Sequence, residues 1–163
     1  MLNCAYPTRT LHARKNQVRG MTLVELGITL VVVALLASLA VPAWQHQVHR
    51  IRRSDGITAL ARLQQAQERW RSQRPVYANG LGKEGLDLPS VSPAGHYDVE
   101  TSVPPATAHR DYRVTAIARG AQAGDLTCRW LVLDAEAGQL HHRSGSDAQL
   151  ANTDSQNRLC WRS

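Results

Sequence analysis

Hydrophobic residues dominate one stretch of the chain, from Gly20 to Trp44, where charged positions almost vanish. Its single charge is the carboxylate of Glu25, and no other charged residue follows before Arg50. The part from Leu26 to Trp44 would span about 28 Å as a helix, close to the ~30 Å hydrocarbon core of a bilayer. An unpaired carboxylate at the edge of such a segment costs roughly 2.5 kcal/mol or more. The pattern therefore predicts a membrane-length helix whose carboxylate requires a partner.

A second helical pattern continues beyond the apolar run and stops before Pro75, because the residue preceding a proline disfavours helix. Apolar residues recur there at steps of three and four, which is the period of an amphipathic helix. They are Ala59, Leu63, Ala66 and Trp70, with Ile57 and Leu60 beside them. We expect helix from Met21 to Gln73, kinked or locally melted at Pro42 and weakened at Gly56. The apolar stripe needs a partner surface.

The remainder of the chain has the pattern of a long loop followed by short strands. Residues 75–95 are rich in Gly, Pro, Ser and Asn and show no sustained period, which is typical of a connection. Four further patterns predict strands, and the third is apolar on both faces, as for a central strand. They run from His96 to Thr101, Tyr112 to Ala118, Leu126 to Asp134 and Gln139 to His142. Three or four antiparallel strands would cover the helix stripe, followed by an irregular tail from Arg143 to Arg158.

Chain length and net charge limit the number of domains and the kinds of binding partner that the sequence supports. The 163 residues suffice for about one domain. The net charge is +6, but residues 1–20 carry four basic residues and no acid, so the rest of the chain is nearly balanced. The overall basicity is therefore a weak argument for nucleic acid or anionic lipid as a partner.

Three cysteines are present, and Cys4 lies in the basic leader. Removal of the leader leaves Cys128 and Cys160, an even pair that an exported chain usually joins as a disulfide. Closing the loop between them would stabilise the fold by roughly 3–4 kcal/mol. Two buried free thiols are the alternative.

Two interpretations of the apolar run differ in where the chain is cut. An ordinary secretory signal would be cleaved after Ser38-Leu39-Ala40 and would leave a soluble periplasmic protein beginning at Val41. In the other interpretation, cleavage after Gly20 leaves the run as a permanent helix. The sequence favours the second, because the run continues past Ala40 and a carboxylate stands where the apolar core of a signal should begin.

Residues 20–26, GMTLVEL, with the apolar run and Pro42 behind them, resemble the class III signal of type IV pilins. The resemblance implies that a prepilin peptidase cuts between Gly20 and Met21 on the cytoplasmic face and methylates the new amino terminus of Met21. It also places Glu25 at the glutamate position of the family. Met21 stands where the family usually has Phe, and a glycine interrupts the bulky run.

A physical argument for Glu25 stands beside the resemblance. Cleavage would create a positive amino terminus on Met21, four residues before the carboxylate. In a water-free helical stack, pairing an ammonium with a carboxylate lowers the free-energy cost of removing both charges from water. Such pairing between neighbouring subunits would fix their axial register. The simpler alternative is an acid in the first helical turn, worth roughly 0.3–1 kcal/mol through the helix dipole.

The resemblance also implies a fold and a domain plan. The fold is the α+β type IV pilin fold, a long N-terminal helix packed on a three- or four-stranded antiparallel sheet with a C-terminal disulfide loop. Residues 1–20 would be the removed leader, 21–44 the transmembrane and assembly helix, and 45–74 the amphipathic helix of the globular domain. Residues 75–163 would form the loop, the sheet and the C-terminal region bounded by Cys128 and Cys160.

A basic cluster directly after the apolar run offers a second surface for binding. It consists of His46, His49, Arg50, Arg52 and Arg53. Such a cluster can bind the phosphates of lipid or nucleic acid, but at helical spacing it is more often a solvated or intersubunit face.

Metal, cofactor and catalytic sites are not predicted. Adjacent His141 and His142 would point to opposite faces of a strand and could not chelate one metal there. A zinc site using the two cysteines has no supporting CxxC or HxxxH spacing. Acids are dispersed at Asp98, Glu100, Asp134 and Glu136, and the last two are interpreted as solvated turn residues. The absence of a nucleophile–base pattern argues against an enzyme.

The predicted function is structural. Short segments beyond the leader resemble PilE-type minor pilins: 68–70 with Tyr77, 92–97, 124–125 and 160–161. The resemblance implies a subunit that supports pilus assembly, twitching motility, adhesion or DNA uptake. Its partners would be other pilin subunits, the prepilin peptidase, the inner-membrane assembly machinery and the membrane, with DNA as a further candidate. The subunit would cross the inner membrane once, with a periplasmic C-terminus, before moving to the surface pilus.

Two alternative functions remain open at this point. A DNA-binding competence pilin would share every feature above and would bind double-stranded DNA with a steep salt dependence. A pseudopilin of a type II secretion system would share the N-terminal motif, but the Cys128 and Cys160 pair and the lack of a calcium-loop pattern argue against it.

Overall fold

A computed structural model describes residues 21–162 of the chain. The chain divides into two compact units, with the boundary after Leu39. The regular elements are α1 (Leu23–Arg71), β1 (Tyr97–Ser102), β2 (Tyr112–Ala118), β3 (Trp130–Glu136), β4 (Gln139–Gly145) and α2 (Asp154–Trp161), with short 3-10 helices at Pro105–Thr107 and Gly120–Gly124. We call residues 40–162 the head.

The first unit contains the apolar beginning of α1. The hydroxyl of Thr22 accepts a hydrogen bond from the backbone N–H of Glu25 at 3.2 Å and so satisfies one free donor of the first turn. An 18-residue window of α1 near the N-terminus has a mean hydropathy of 2.5 and no buried residue, which makes α1 long and apolar enough to cross a membrane. The predicted long apolar N-terminal helix is confirmed.

The head is built on a four-stranded sheet in the order β1-β2-β3-β4, with every neighbouring pair antiparallel. The second half of α1 packs on one face of this sheet. The core between them includes Leu60, Leu63, Tyr97, Val114 and Leu131, all almost fully buried. These features confirm the predicted α+β pilin fold.

The buried stripe of α1 differs from the predicted one. Helix persists on both sides of Pro42, so the expectation of local melting is wrong; a proline removes one helical hydrogen bond, and the neighbouring turns keep theirs. Ala66 and Trp70 are only half-buried. The buried residues are Gly56, Ala59, Leu60, Leu63 and Gln67. Gly56 is therefore a close-packing position, not a weak point of the helix.

Two predicted boundaries in the C-terminal part are wrong. β3 begins at Trp130 rather than Leu126, because residues 126–129, which include Cys128, form a turn and a bend. β4 runs on to Gly145, and the tail predicted to be irregular contains α2. Thr153 and Gln156 form a capping box at the start of α2, each side chain bonding the backbone of the other.

Candidate nucleic-acid interface

The end of α1 and the two loops beside it carry a concentration of basic side chains. We call this group, Arg69, Arg71, Arg74, Lys83 and Arg110, the distal rim. The guanidinium of Arg71 donates to the backbone oxygen of His109 at 3.0 and 3.1 Å and to that of Arg74 at 2.9 Å. These bonds tie the helix end to the connection between β1 and β2. Cations near a helix C-terminus also interact favourably with the helix dipole.

Aromatic side chains are interleaved with these cations. The Arg74 guanidinium lies 3.6 Å from the ring centroid of Trp70, and that of Arg71 lies 5.9 Å from the ring centroid of Tyr77. Trp70 also lines a cavity of about 340 Å³ with the loop residues Gly82 and Glu84, which flank Lys83 in sequence. The helix end and the loop that carries Lys83 therefore meet at one cavity.

Most cations of the distal rim form no ion pair with the described residues. Within the described residues, Arg69, Arg74 and Lys83 form no ion pair, while Arg110 meets Asp111 at 3.5 Å. The nearby carboxylate of Glu68 accepts hydrogen bonds from two tyrosine hydroxyls at 3.2 and 3.3 Å. A basic surface whose cations lack ion-pair partners can bind the phosphates of a nucleic acid.

The tyrosines that hold Glu68 remain neutral donors. Burial, followed by the charge of Glu68, raises the pKa of Tyr112 well above its usual value. The same two causes raise the pKa of Tyr77. The rings pack against each other with centroids 4.6 Å apart. This cluster anchors the end of α1 to β2 beneath the distal rim.

The distal rim is not predicted as a binding surface from the sequence, in which residues 68–70 and Tyr77 serve only as points of resemblance to minor pilins. The available signal was the spacing of Arg69, Arg71 and Arg74 around Trp70, a basic run with an aromatic inside it. The loop cations could not be added without the fold, because they are distant in sequence from the helix end.

The structure divides the predicted basic cluster after the apolar run. Arg53 donates to Asp125 from Nε at 2.6 Å and from Nη2 at 2.9 Å, and both side chains are largely buried. The Nδ1 atom of His49 lies 3.1 Å from Oε1 of Gln122. The expectation of a solvated face is therefore wrong for Arg53 and His49, since Asp125 and Gln122 follow β2 and fold back onto α1.

Gln122 is the centre of this internal contact. It is fully buried, and its Nε2 donates to the hydroxyl of Tyr97 at 3.1 Å and to Asp125 at 3.2 Å. Burial raises the pKa of Tyr97 to about 12, so its hydroxyl stays protonated. The network fixes the connection between β2 and β3 against the part of α1 that follows the apolar run.

Asp55 makes a similar connection on the other side of α1. Its carboxylate accepts hydrogen bonds from the Ser92 hydroxyl at 2.5 Å and from the backbone N–H of Ala94 and His96 at 2.9 and 3.2 Å. Burial alone would raise the pKa of Asp55, but these bonds, together with the charge of His96, outweigh it and lower the pKa below its usual value. The start of β1 is thereby held to the helix.

Asp134 corrects a second prediction from the sequence. It is 2 % exposed rather than a solvated turn residue. Arg113 of β2 donates to it from Nε at 2.5 Å, and Arg143 of β4 from Nε at 2.7 Å. The prediction failed because β3 extends to Glu136, so Asp134 lies inside a central strand between two arginines.

The other predicted candidates lie apart from the distal rim. The ring of His142 packs edge-on against that of Trp161, with ring centroids 4.4 Å apart. His141 is paired with Asp134 in the strand register. Burial, then the charge of His141, lowers the pKa of His142. Among residues 21–162 no group of three or more His, Cys, Asp or Glu side chains could hold a metal ion.

Cys128 and Cys160 form the predicted disulfide, and both are buried. It joins α2 to the segment before β3. Met21 and Glu25 are exposed at the start of α1. Gly20 and Cys4 lie outside the described residues, so cleavage and methylation stay predictions.

One comparison with known proteins decides the family. Residues 42–132 match the family model described as "Type IV minor pilin ComP, DNA uptake sequence receptor". The match covers more than half of the chain and includes the whole of the distal rim. This chain is a member of that family.

Membership confirms the predicted function of a type IV minor pilin, while the finer resemblance to PilE-type subunits is not confirmed. No curated protein matches the chain. The family is one of structural pilus subunits. An apolar helix that can anchor the subunit, a head with a disulfide, and assembly with other pilins all agree with it.

Proposed function

We propose that this minor pilin binds double-stranded DNA through the distal rim during DNA uptake. The family description, a receptor for a DNA uptake sequence, is the observation that carries the proposal. The distal rim supports it, since three of its cations, Arg69, Arg74 and Lys83, have no ion-pair partner in the described part of the chain. The role is structural and ligand-binding, without catalysis.

The chemistry of the distal rim suits a DNA duplex. Lysine and arginine side chains that neutralise phosphates release condensed counterions and so supply affinity independent of sequence. Arginine can also donate two parallel hydrogen bonds to a guanine edge in the major groove. The stacking of Arg74 on Trp70 holds one guanidinium in a defined orientation, which favours such directional recognition.

A salt titration tests this proposal. We expect the processed full chain in detergent to bind a fluorescent DNA duplex, with an affinity that falls steeply as salt rises. Substituting Arg69, Arg74 and Lys83 together by Gln should weaken binding and reduce the salt slope by about one for each phosphate that is no longer neutralised. Fluorescence anisotropy at several salt concentrations measures both quantities.

A matched control removes the same charge elsewhere. Arg129, Arg158 and Arg162 are three exposed cations outside the distal rim that form no ion pair with any residue from 21 to 162. Their triple substitution by Gln should leave the salt slope nearly unchanged. Equal decreases in the two triple variants would mean that only net charge matters and would overturn the assignment of the distal rim.

We also propose a route of maturation and assembly. The leader of residues 1–20 is removed between Gly20 and Met21, and the amino terminus of Met21 is methylated. Residues 21–44 then cross the inner membrane with the head in the periplasm until the subunit enters the filament, and Pro42 allows the helix to loosen there. Determination of the mature amino terminus tests the cut, because a chain beginning at Val41 would contradict it.

In this proposal Glu25 pairs with the amino terminus of a neighbouring subunit. Its position four residues from Met21, in an otherwise uncharged apolar run, supports the pairing. We expect Glu25→Ala to preserve membrane insertion and cleavage but to reduce incorporation into pili, with Ser38→Ala as a control in the same run. Normal incorporation of Glu25→Ala would refute the register role.

A further inference from the structure

A hollow in the head lies directly after the apolar run. Trp44, Val48 and Arg52 follow one another at intervals of one helical turn and therefore share a face of α1. Together with Gln45, His49 and Ala121 they line a volume of about 300 Å³. The lining therefore combines apolar and aromatic side chains with a guanidinium, an amide and an imidazole.

The charge of this hollow is uncompensated. No acidic residue occurs between Glu25 and Asp55, and Asp55 already accepts three hydrogen bonds from residues 92–96. Arg53 is committed to Asp125. Arg52, by contrast, makes no side-chain hydrogen bond or ion pair with the described part of the chain, although it is half-buried.

The position of these residues in the sequence would bring them close to the surface of a bilayer that the apolar run crosses. Trp44 ends the apolar run and is 70 % exposed, as expected of an aromatic residue at a membrane interface. Arg52 lies eight residues later, about 12 Å along the helix axis. Because helical side chains tilt toward the N-terminus and long cationic ones reach toward the headgroups, its guanidinium can extend nearer to the bilayer than its Cα atom. Headgroup layers are roughly 5–8 Å thick.

We infer that this hollow binds the phosphate of an anionic phospholipid while the subunit resides in the membrane. Arg52 pairs with the phosphate, Gln45 supplies an amide donor, and the indole of Trp44 lies at the level of the lipid backbone. A membrane lipid is the expected occupant because the lining residues of α1 follow directly in sequence on an apolar segment of bilayer length. The site is separate in sequence from the distal rim and does not depend on DNA binding.

A lipid titration tests the inference. We expect phosphatidylglycerol, added to the processed full chain in neutral detergent micelles, to be retained in native mass spectra. Arg52→Gln should weaken this retention about five-fold, the effect of removing one cation near a membrane surface. Phosphatidylcholine should be retained far less.

Arg50→Gln is the matched control, because Arg50 is an exposed cation two residues away and on the opposite side of α1. It should retain phosphatidylglycerol as the wild type does, and both variants should melt at the wild-type temperature without lipid. Equal decreases in the two variants would show that the lipid is held by diffuse electrostatic attraction rather than at a site, and would overturn the inference. Displacement of the lipid by inorganic phosphate or by a short DNA duplex would identify a free-phosphate or nucleic-acid site and would overturn it as well.

Discussion

Asp134 shows how one residue can hold three strands together on the side of the sheet away from α1. Its carboxylate is buried in β3, while the half-exposed guanidiniums of Arg113 and Arg143 reach it from the strands on either side. Removing a carboxylate from water is costly unless its oxygens are satisfied, and here two charged donors satisfy them. The three side chains therefore stabilise the sheet itself.

Substitution of Asp134 by Asn should destabilise the head by about 2 kcal/mol, because the hydrogen bonds from Arg113 and Arg143 lose their charged acceptor and two arginines remain beside a neutral residue. Chemical unfolding of the full chain in detergent measures the change. Asp98→Asn is the control, since Asp98 pairs with Arg119 at 2.9 Å where both side chains are about half exposed. It should cost less than about 0.5 kcal/mol. Equal effects would contradict this role of Asp134.

The lowered pKa of Asp55 predicts how the stability of the head depends on pH. Its pKa is lowered in the folded chain, so its stabilising effect is complete above the unfolded pKa of about 4 and disappears as pH falls through the lower folded pKa. Asp55→Asn should therefore melt below the wild type at pH 7, and the two melting temperatures should converge in strong acid. A difference that persists unchanged at a pH of about 2 would refute this.

At the scale of elements, the contact between α1 and β1 depends on a glycine. A Cβ atom at Gly56 would lie 3.0 Å from Cδ2 of Tyr97, and the Tyr97 ring is fully buried. The hydroxyl of Tyr97 is also held by Gln122 at 3.1 Å, which opposes a shift of the ring. The close approach of helix and strand therefore requires the absence of a side chain at this position.

Gly56→Ala should destabilise the head by about 1–2 kcal/mol, because the overpacking cost exceeds the gain in helix propensity. Gly27→Ala provides the comparison in the same helix, since nothing lies within 4 Å of the added Cβ atom. Thermal unfolding of the head should be unaffected by that change. An increase in stability with Gly56→Ala would show that the contact is looser than described.

The elements themselves were predictable where periodicity is strong. The alternation of β2 predicted both its boundaries, and the apolar run predicted the N-terminal helix. α2 was missed although Thr153 and Gln156 form a capping box, because the tail has little hydrophobic pattern. Gln67 was not predicted as a core residue, because an amide side chain is usually exposed. Its burial is explained only by its hydrogen bonds to Ala78 and Thr101.

The candidate site was less accessible to sequence reasoning than the fold. The distal rim combines the helix end with two loops whose proximity is established by hydrogen bonds such as those of Arg71 with His109. Asp125 and Gln122 similarly withdraw Arg53 and His49 from a cluster whose spacing predicts uniform exposure. Long-range pairing of polar groups leaves no periodic signal, so such pairs need a structure.

At the scale of the whole molecule, the proposed functions belong to different parts of the chain. We propose that membrane insertion and filament assembly depend on the apolar beginning of α1, and that DNA binding depends on the distal rim at the C-terminal end of that helix. The disulfide between Cys128 and Cys160 stabilises the C-terminal part of the head, where we propose neither function. Assembly and DNA uptake should therefore be separable by mutation.

The most direct measurement replaces the chromosomal copy by the distal-rim triple variant of Arg69, Arg74 and Lys83, and scores surface pili and natural transformation in the same cells. We expect pili in normal number, with the variant present in them, and transformation reduced at least about ten-fold, since several phosphates are no longer neutralised. The triple variant of Arg129, Arg158 and Arg162 should be normal in both. Wild-type transformation with the distal-rim variant in the pili would contradict the proposed DNA-binding role.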